Sequence, residues 1–126
     1  ELLILSPKEA ADIHYRLVTE RFPVEGPFSV PHVPDKAYLD ADKVTAQLSL
    51  RKWQSGDRFI PYGMKHFKRV RDYLRDRKFT RFEKEEQYVV TAGDTIVWLV
   101  NERTDHRFRV TEQTRNVLVL SVEKHV

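Results

Sequence analysis

Cysteine is absent from the 126 residues, which excludes disulfide bonds, cysteine nucleophiles and thiolate zinc sites together. Only four glycines are present, at 26, 56, 63 and 93, and none has the spacing of a dinucleotide-binding or phosphate-binding loop. No apolar run approaches the roughly 20 residues of a membrane span. The opening ELLIL is too short for a signal peptide. We therefore expect a cytoplasmic protein with no membrane-bound part, and the missing initial methionine favours a piece of a longer chain.

Catalytic patterns are also missing. The five histidines form no HxH, HxxH or HxxxH pair, and no serine lies in a GxSxG turn. Asp40 and Asp42 could in principle serve in acid–base chemistry, but a turn is the favoured interpretation. An independent enzyme using Asp40, Asp42, His66 or Arg103 is the least favoured reading. We expect no catalytic residue, cofactor site or metal site in this chain.

Positive charge is concentrated in one segment. Residues 51–81 hold eleven Lys or Arg against three Asp, a net charge of +8. The whole chain carries only +3, so the remainder carries −5. A basic region on a neutral or acidic body is typical of a site for a polyanion such as nucleic acid. The alternative is a solvated helix face.

Short β-strands are predicted along most of the chain. Ile13, Tyr15 and Leu17 alternate with polar residues, which predicts a strand over about 12–20. Residues 1–5 also have strand character, with a turn at 6–10. Further strands are predicted over 28–30, 48–53, 87–91, 95–100, 108–110 and 117–122, and those over 87–91 and 95–100 are predicted to form a hairpin through the Gly93-Asp94 turn.

Two helices are predicted in the middle of the chain. Over 65–77 the residues Phe67, Val70 and Leu74 share one apolar face, with Tyr73 beside them. Thr80 and Glu83 have the spacing of a capping box, which predicts a second short helix over 80–86. Met64, Phe67, Val70 and Leu74 are assigned to the core in preference to a stacking surface for bases, and Tyr73 and Trp98 are expected to be buried as well. The expected fold class is α+β.

The segment that runs from Trp53 through Gly56-Asp57-Arg58-Phe59, Pro61 and Gly63-Met64-Lys65 to Lys78 resembles the C-terminal domain of tRNA(Ile)-lysidine synthetases. Residues 37–43, 96–100 and 102–108 are similar to other parts of that family, so the resemblance covers about 36–120. His66 and Asn101 stand where the family usually has Gly. Asn tolerates the left-handed backbone best among non-Gly residues, whereas His66 alters the loop.

The resemblance implies a small β-sandwich with one or two helices packed on it, similar to a domain of phenylalanyl-tRNA synthetase β-subunits. It implies a boundary near residue 45, with 1–45 ending the preceding region and 46–126 forming the tRNA-binding domain. The parent enzyme would use ATP, with magnesium, and lysine to convert the wobble cytidine of tRNA(Ile) to lysidine. That chemistry belongs to an upstream PP-loop domain, whose motif is absent here.

The resemblance implies that this part grips the acceptor-stem side of the tRNA, and the charge pattern agrees with a nucleic-acid site. The predicted contacts are Arg58, Lys65, Lys68, Arg69, Arg71, Arg75, Lys78 and Arg103. Pairing of Arg58 with Asp57 or another acid is an equal alternative. A protein-interaction or dimerisation module, acting through residues 1–35, is the competing function.

Overall fold

A computed structural model describes residues 2–4 and 14–125 of the chain. Its strands are β1 (Leu2–Ile4), β2 (His14–Pro23), β3 (Ala37–Asp40), β4 (Leu48–Lys52), β5 (Arg58–Phe59), β6 (Lys68–Arg69), β7 (Tyr88–Ala92), β8 (Thr95–Leu99), β9 (Arg103–Thr104) and β10 (Asn116–His125). Its helices are α1 (Val70–Asp76) and α2 (Arg81–Glu85), with 3₁₀ turns at Ala41–Lys43 and His106–Phe108.

Two antiparallel sheets and a ribbon organise these strands. One sheet has the order β1-β2-β10-β3, the other the order β4-β7-β8-β9, and β5 pairs with β6. A cluster of buried side chains from both sheets, including Leu39, Leu50, Trp98 and Leu120, forms the main core. The predicted α+β sandwich is therefore confirmed.

The two central strands of the second sheet, β7 and β8, are buried on both faces. All five residues of β7 are buried, as are the last four of β8. Val90 and Trp98 belong to the main core, whereas Val89 and Leu99 pack with Phe59 in a second core beneath α1. A strand covered on both sides needs no polar face, which explains the continuous apolar runs YVVTA and TIVWL.

Strand β10 joins the two ends of the chain. It pairs along its whole length with β2, and its residues Val117–Leu120 also pair with β3. The early strands thus share a sheet with the last strand. The predicted boundary near residue 45 stays a prediction.

Helix α1 begins five residues later than predicted. The sequence favours a helix over 65–77, but the structure forms it only over Val70–Asp76. Lys68–Arg69 instead pair with Arg58–Phe59 in the ribbon. The first N–H of the helix donates to the Asp57 carbonyl over 2.9 Å, so the ribbon fixes where the helix starts.

The later start changes which side chains reach the core. Val70, Tyr73 and Leu74 are buried, as predicted. Phe67 is 47% exposed and Met64 is 40% exposed, so their assignment to the core is wrong. Both lie in the loop before the helix, where the 3.6-residue period does not apply.

The end of α1 contains an unusual lysine. Lys78 has φ +60°, and its N–H donates to the Arg75 carbonyl. The Phe79 N–H reaches back to the Leu74 carbonyl over 3.0 Å. These two bonds form a Schellman motif, whose left-handed residue is usually Gly.

Other local predictions had mixed outcomes. The capping box of α2 is confirmed, since the Thr80 and Glu83 side chains each accept from the other residue's N–H. The hairpin of β7 and β8 is also confirmed. No strand forms over 28–30, and the predicted strand at 108–110 is wrong because a 3₁₀ turn capped by Asp105 occupies His106–Phe108. The turn predicted at 6–10 lies outside the described residues.

No helix in the described part of the chain is long and apolar enough to cross a membrane.

Replacing Leu120 by Ala is expected to lower the free energy of unfolding by about 2–5 kcal/mol, because Leu120 is fully buried between the sheets. Urea unfolding measures the change. Thr19→Ala alters the exposed cross-strand partner of Leu120 and should change stability by less than about 0.5 kcal/mol. Equal effects of the two substitutions would contradict this packing.

Candidate nucleic-acid interface

The basic segment lies on the flank formed by the β5-β6 ribbon, the loop over 61–67 and α1. The loop is tied to the segment after β8. The Tyr62 N–H donates to the Thr104 carbonyl over 2.9 Å, and the His106 N–H donates to the Ile60 carbonyl over 2.7 Å. His106 Nδ1 in turn accepts from the Gly63 N–H over 3.1 Å. These bonds hold the loop on the surface of the second sheet.

Asp57 orders the turn before the ribbon. Its two carboxylate oxygens accept from both terminal nitrogens of Arg51, over 2.8 and 3.0 Å, and its Oδ2 also accepts from the Gln54 N–H. The bond to Asp57 raises the pKa of Arg51 above its ordinary value. The proposed pairing of Arg58 with Asp57 is therefore not formed, since Arg51 occupies that carboxylate.

Arg58 instead lies against an aromatic ring. Its guanidinium carbon is 4.4 Å from the centre of the Phe67 ring, and that of Arg107 is 4.9 Å from the same centre. Both distances are within the range of cation–π attraction. Exposed Phe67 therefore holds two arginines from separate parts of the chain.

Buried Asp105 fixes the second of these arginines. Its Oδ1 accepts from the backbone N–H and Nε–H of Arg107, and its Oδ2 accepts from a terminal nitrogen of Arg107 and from the Ile60 N–H. All four distances are 2.9 Å. The bond to Asp105 raises the pKa of Arg107. One carboxylate thus positions both Arg107 and the loop that begins at Ile60.

Three of the eight predicted contact residues have acidic neighbours. Lys68 Nζ is 2.6 Å from Asp76, and this hydrogen bond holds the pKa of the Asp76 carboxyl below its ordinary value. Arg75 lies 3.3 Å from Asp72 and 3.8 Å from Asp76. Arg71 lies 3.8 Å from Asp72. The carboxylates offset part of the positive charge along α1.

Besides Arg103, four other predicted residues form no ion pair within the described residues: Arg58, Lys65, Arg69 and Lys78. All four are exposed. Their charges are therefore available to an external anion without competition from a carboxylate of this part of the chain.

Arg103 belongs to a separate network at the other end of α1. Its guanidinium carbon lies 5.7 Å from the Tyr73 ring centre. Glu102 accepts from Arg77 Nε over 3.0 Å and from the Tyr73 hydroxyl over 3.4 Å. Burial, opposed by the nearby Arg103, raises the pKa of Tyr73 above its ordinary value. Arg103 is therefore partly engaged in holding this end of the helix.

Asn101 and His66 occupy the two positions where the family usually has Gly. Asn101 has φ +62°, so it adopts the left-handed backbone expected of it. His66 is an exposed residue of the loop.

Sequence reasoning missed Arg107 and the exposed role of Phe67. Arg107 lies outside the basic segment, 40 residues after Phe67, so no local pattern joins them. The signal available was Asp105, an acidic residue two positions before Arg107, which is typical of a capped turn.

The described residues define an α+β sandwich module with a basic flank, and they contain no group of three or more His, Asp or Glu placed to hold a metal ion. The model of the family described as the TilS substrate C-terminal domain matches residues 48–121. The chain belongs to this family, as its sequence resemblance predicted.

Curated relatives agree with this assignment. The tRNA(Ile)-lysidine synthase of Bacteroides thetaiotaomicron is 41% identical over 118 residues, and that of Parabacteroides distasonis is 47% identical over 105 residues. These matches cover 94% and 83% of this chain but 28% and 23% of the relatives. The chain thus spans about a quarter of the length of these relatives.

Two solved structures share the fold. A crystal structure described as the TILS C-terminal domain has a TM-score of 0.69 at 19% identity, covering 86% of this chain and 83% of that one. An N-terminal fragment of the phenylalanyl-tRNA synthetase β-subunit from Pyrococcus horikoshii has a TM-score of 0.58 at 18% identity, covering 69% of this chain and 27% of that one. The expected similarity of fold to both families is confirmed.

Replacing Asp105 by Asn is expected to lower the free energy of unfolding by about 1–3 kcal/mol. Both carboxylate oxygens of Asp105 accept N–H groups, whereas the amide of Asn has only one acceptor oxygen. Urea unfolding measures the loss. Asp76→Asn, which removes an exposed carboxylate, should leave stability nearly unchanged. If Asp105→Asn were as stable as the parent chain, Asp105 would not organise the loop.

Proposed function

We propose that this chain is the C-terminal tRNA-binding domain of a tRNA(Ile)-lysidine synthetase and that it grips the acceptor-stem side of the tRNA. The observation that carries the proposal is the set of exposed cations without carboxylate partners in the basic segment, namely Arg58, Lys65, Arg69 and Lys78. Family membership supports the same reading.

The physical basis is backbone recognition. Duplex RNA is recognised chiefly by its shape and by contacts to phosphates and 2′-hydroxyls across its shallow minor groove. Lys and Arg side chains provide such contacts without reading the sequence. A flank of exposed cations suits this task, because it needs no deep pocket. The sequence specificity of the reaction would then come from elsewhere in the parent enzyme.

The parent enzyme would carry the chemistry in an upstream PP-loop domain. There, ATP with magnesium would activate the wobble cytidine of tRNA(Ile), and lysine would attack it to give lysidine, in the cytoplasm. The role of the present chain would be to hold the far end of the tRNA while that reaction proceeds. Homodimerisation stays a prediction.

The eight predicted contact residues are proposed to contribute unequally. Lys68, Arg71 and Arg75 must share their charge with Asp72 or Asp76. Exposed ion pairs are weak, typically below about 1 kcal/mol, so a phosphate can replace the carboxylate. The displaced carboxylate nevertheless stays close and repels the phosphate. The unpaired cations should therefore dominate binding.

Neighbouring residues of β6 provide a matched test. Arg69→Ala should weaken binding of an acceptor-stem RNA hairpin and make the log–log salt dependence shallower by about 0.7–0.9, the value of one phosphate contact. Lys68→Ala also removes one positive charge, but Asp76 already offsets that charge. The salt dependence of RNA binding should therefore change less in this variant than in Arg69→Ala. Fluorescence anisotropy at several salt concentrations measures both.

The proposed function fails if the parent chain does not bind the hairpin even at low salt. Equal behaviour of the Arg69 and Lys68 variants would leave RNA binding in place but contradict the unequal contributions.

Lys78 allows loss of binding to be separated from loss of stability. Lys78→Gly removes a cation but relieves a left-handed residue, so the protein should be up to about 1 kcal/mol more stable while binding RNA more weakly. Asn101→Gly gives similar backbone relief without removing charge and should keep full RNA affinity. Thermal unfolding and the same hairpin titration report the two effects. Unchanged affinity in Lys78→Gly would remove Lys78 from the interface.

A further inference from the structure

Two shallow depressions on the basic flank share one turn. Gly56, Asp57 and Arg58 line both of them. One is completed by Phe67, Arg107 and the residues of the β7–β8 turn, Asp94 to Ile96. The other is completed by Ser55, Arg69 and Arg71. We call these two adjoining depressions together the arginine groove.

Like charges face each other in this groove. Arg58 and Arg69 are direct cross-strand partners in the ribbon. Both are exposed, and neither has an ion pair within residues 2–4 and 14–125. Like charges directly opposite each other destabilise a strand pair. The ribbon has only two residues in each strand, so it has little pairing of its own to offset that repulsion. An anion bound between the two guanidinium groups would remove it.

Phe67 brings a third arginine into the groove. Because Arg58 and Arg107 lie 4.4 and 4.9 Å from the same ring centre, their guanidinium carbons are at most 9.3 Å apart. Asp105 uses Nε and one terminal nitrogen of Arg107, which leaves the other terminal nitrogen without a bond to this carboxylate. Arg107 thus offers directed donors, whereas Arg58 and Arg69 add uncompensated charge.

The turn leaves room for a ligand. Gly56 has φ +95°, and a Cβ added there would meet no atom within 4 Å. A ligand can therefore approach the backbone of the turn. Of the two acidic residues that line the groove, Asp57 is held by Arg51. Asp94 is exposed at the rim and opposes an incoming anion.

We propose that the arginine groove binds successive phosphate groups of an RNA strand. Arg58 and Arg107 hold one phosphate, with Phe67 positioning both guanidinium groups, and Arg69 holds the next. Charge-assisted bonds from guanidinium to phosphate are among the strongest hydrogen bonds in proteins. The inference rests on the proposed function, because RNA is the source of the phosphates.

The groove is tested by three substitutions that leave Asp105 and its partners intact. Arg58→Ala should lower affinity for a 12-base-pair RNA hairpin about tenfold or more and make the salt slope shallower by about 0.7–0.9. Phe67→Leu keeps every charge but removes the ring, so affinity should fall several-fold with a smaller change in slope. Asp94→Asn should raise affinity.

Arg81→Ala is the matched control, because it removes the same charge from an arginine that is 95% exposed, is paired with Glu85 and does not line the groove. Circular dichroism confirms folding of each variant. If the parent chain binds the hairpin but the three groove variants behave like Arg81→Ala, the arginine groove is refuted and the proposed function stands.

A second arm separates the sources of phosphate. The side-chain Nε–H signals of Arg58, Arg69 and Arg107 are followed by NMR during titration with the hairpin and, separately, with inorganic phosphate. The proposal expects saturable shifts at micromolar hairpin and only weak, unsaturated shifts with millimolar phosphate. Saturation by inorganic phosphate without hairpin binding would support the site but refute both RNA as its ligand and the proposed function. No response to either titrant would refute the groove.

Discussion

The carboxylate of Asp105 is the interaction on which the basic flank depends. It is fully buried, and it accepts four N–H groups from Ile60 and Arg107. The Asp105 N–H also donates to the Val97 carbonyl, so the carboxylate is anchored to the second sheet. Through Asp105, the loop that carries exposed aromatic and basic residues is bonded to a buried strand of the second sheet.

The flank separates its cations into two kinds. Those on α1 face Asp72 and Asp76, which limits the repulsion among cations along one short helix. Arg58 and Arg69 of the ribbon and Lys65 of its adjoining loop lack such partners in the described residues, whereas Lys68 of the ribbon pairs with Asp76. Phe67 and the backbone pairing of the ribbon hold these unpaired cations close together, and their mutual repulsion lowers the stability of the fold. A bound polyanion would remove that repulsion. Because of this division, the number of basic residues is larger than the number of cations that have no carboxylate partner and are available to an external anion.

Local rules predicted the elements whose stability is local. The capping box of Thr80 and Glu83 and the β7–β8 hairpin depend on residues a few positions apart, and both were read correctly. The start of α1 was predicted wrongly, because Lys68–Arg69 pair with Arg58–Phe59, ten residues earlier in the chain, and do not join the helix. A periodic apolar pattern is only a weak signal when strand pairing offers the backbone an alternative. Phe67, placed in the core by that pattern, is on the surface for this reason.

The amino-acid sequence by itself determined the class of fold, the family and the basic character of residues 51–81, because composition, strand alternation and motif spacing are properties of the chain. Only the tertiary structure decided which cations are neutralised and which are free. It also decided that Arg107 joins Arg58 on Phe67, although 40 residues separate Arg107 from Phe67. The physical reason is that electrostatic pairing falls off over a few ångströms in space and takes no account of distance along the chain.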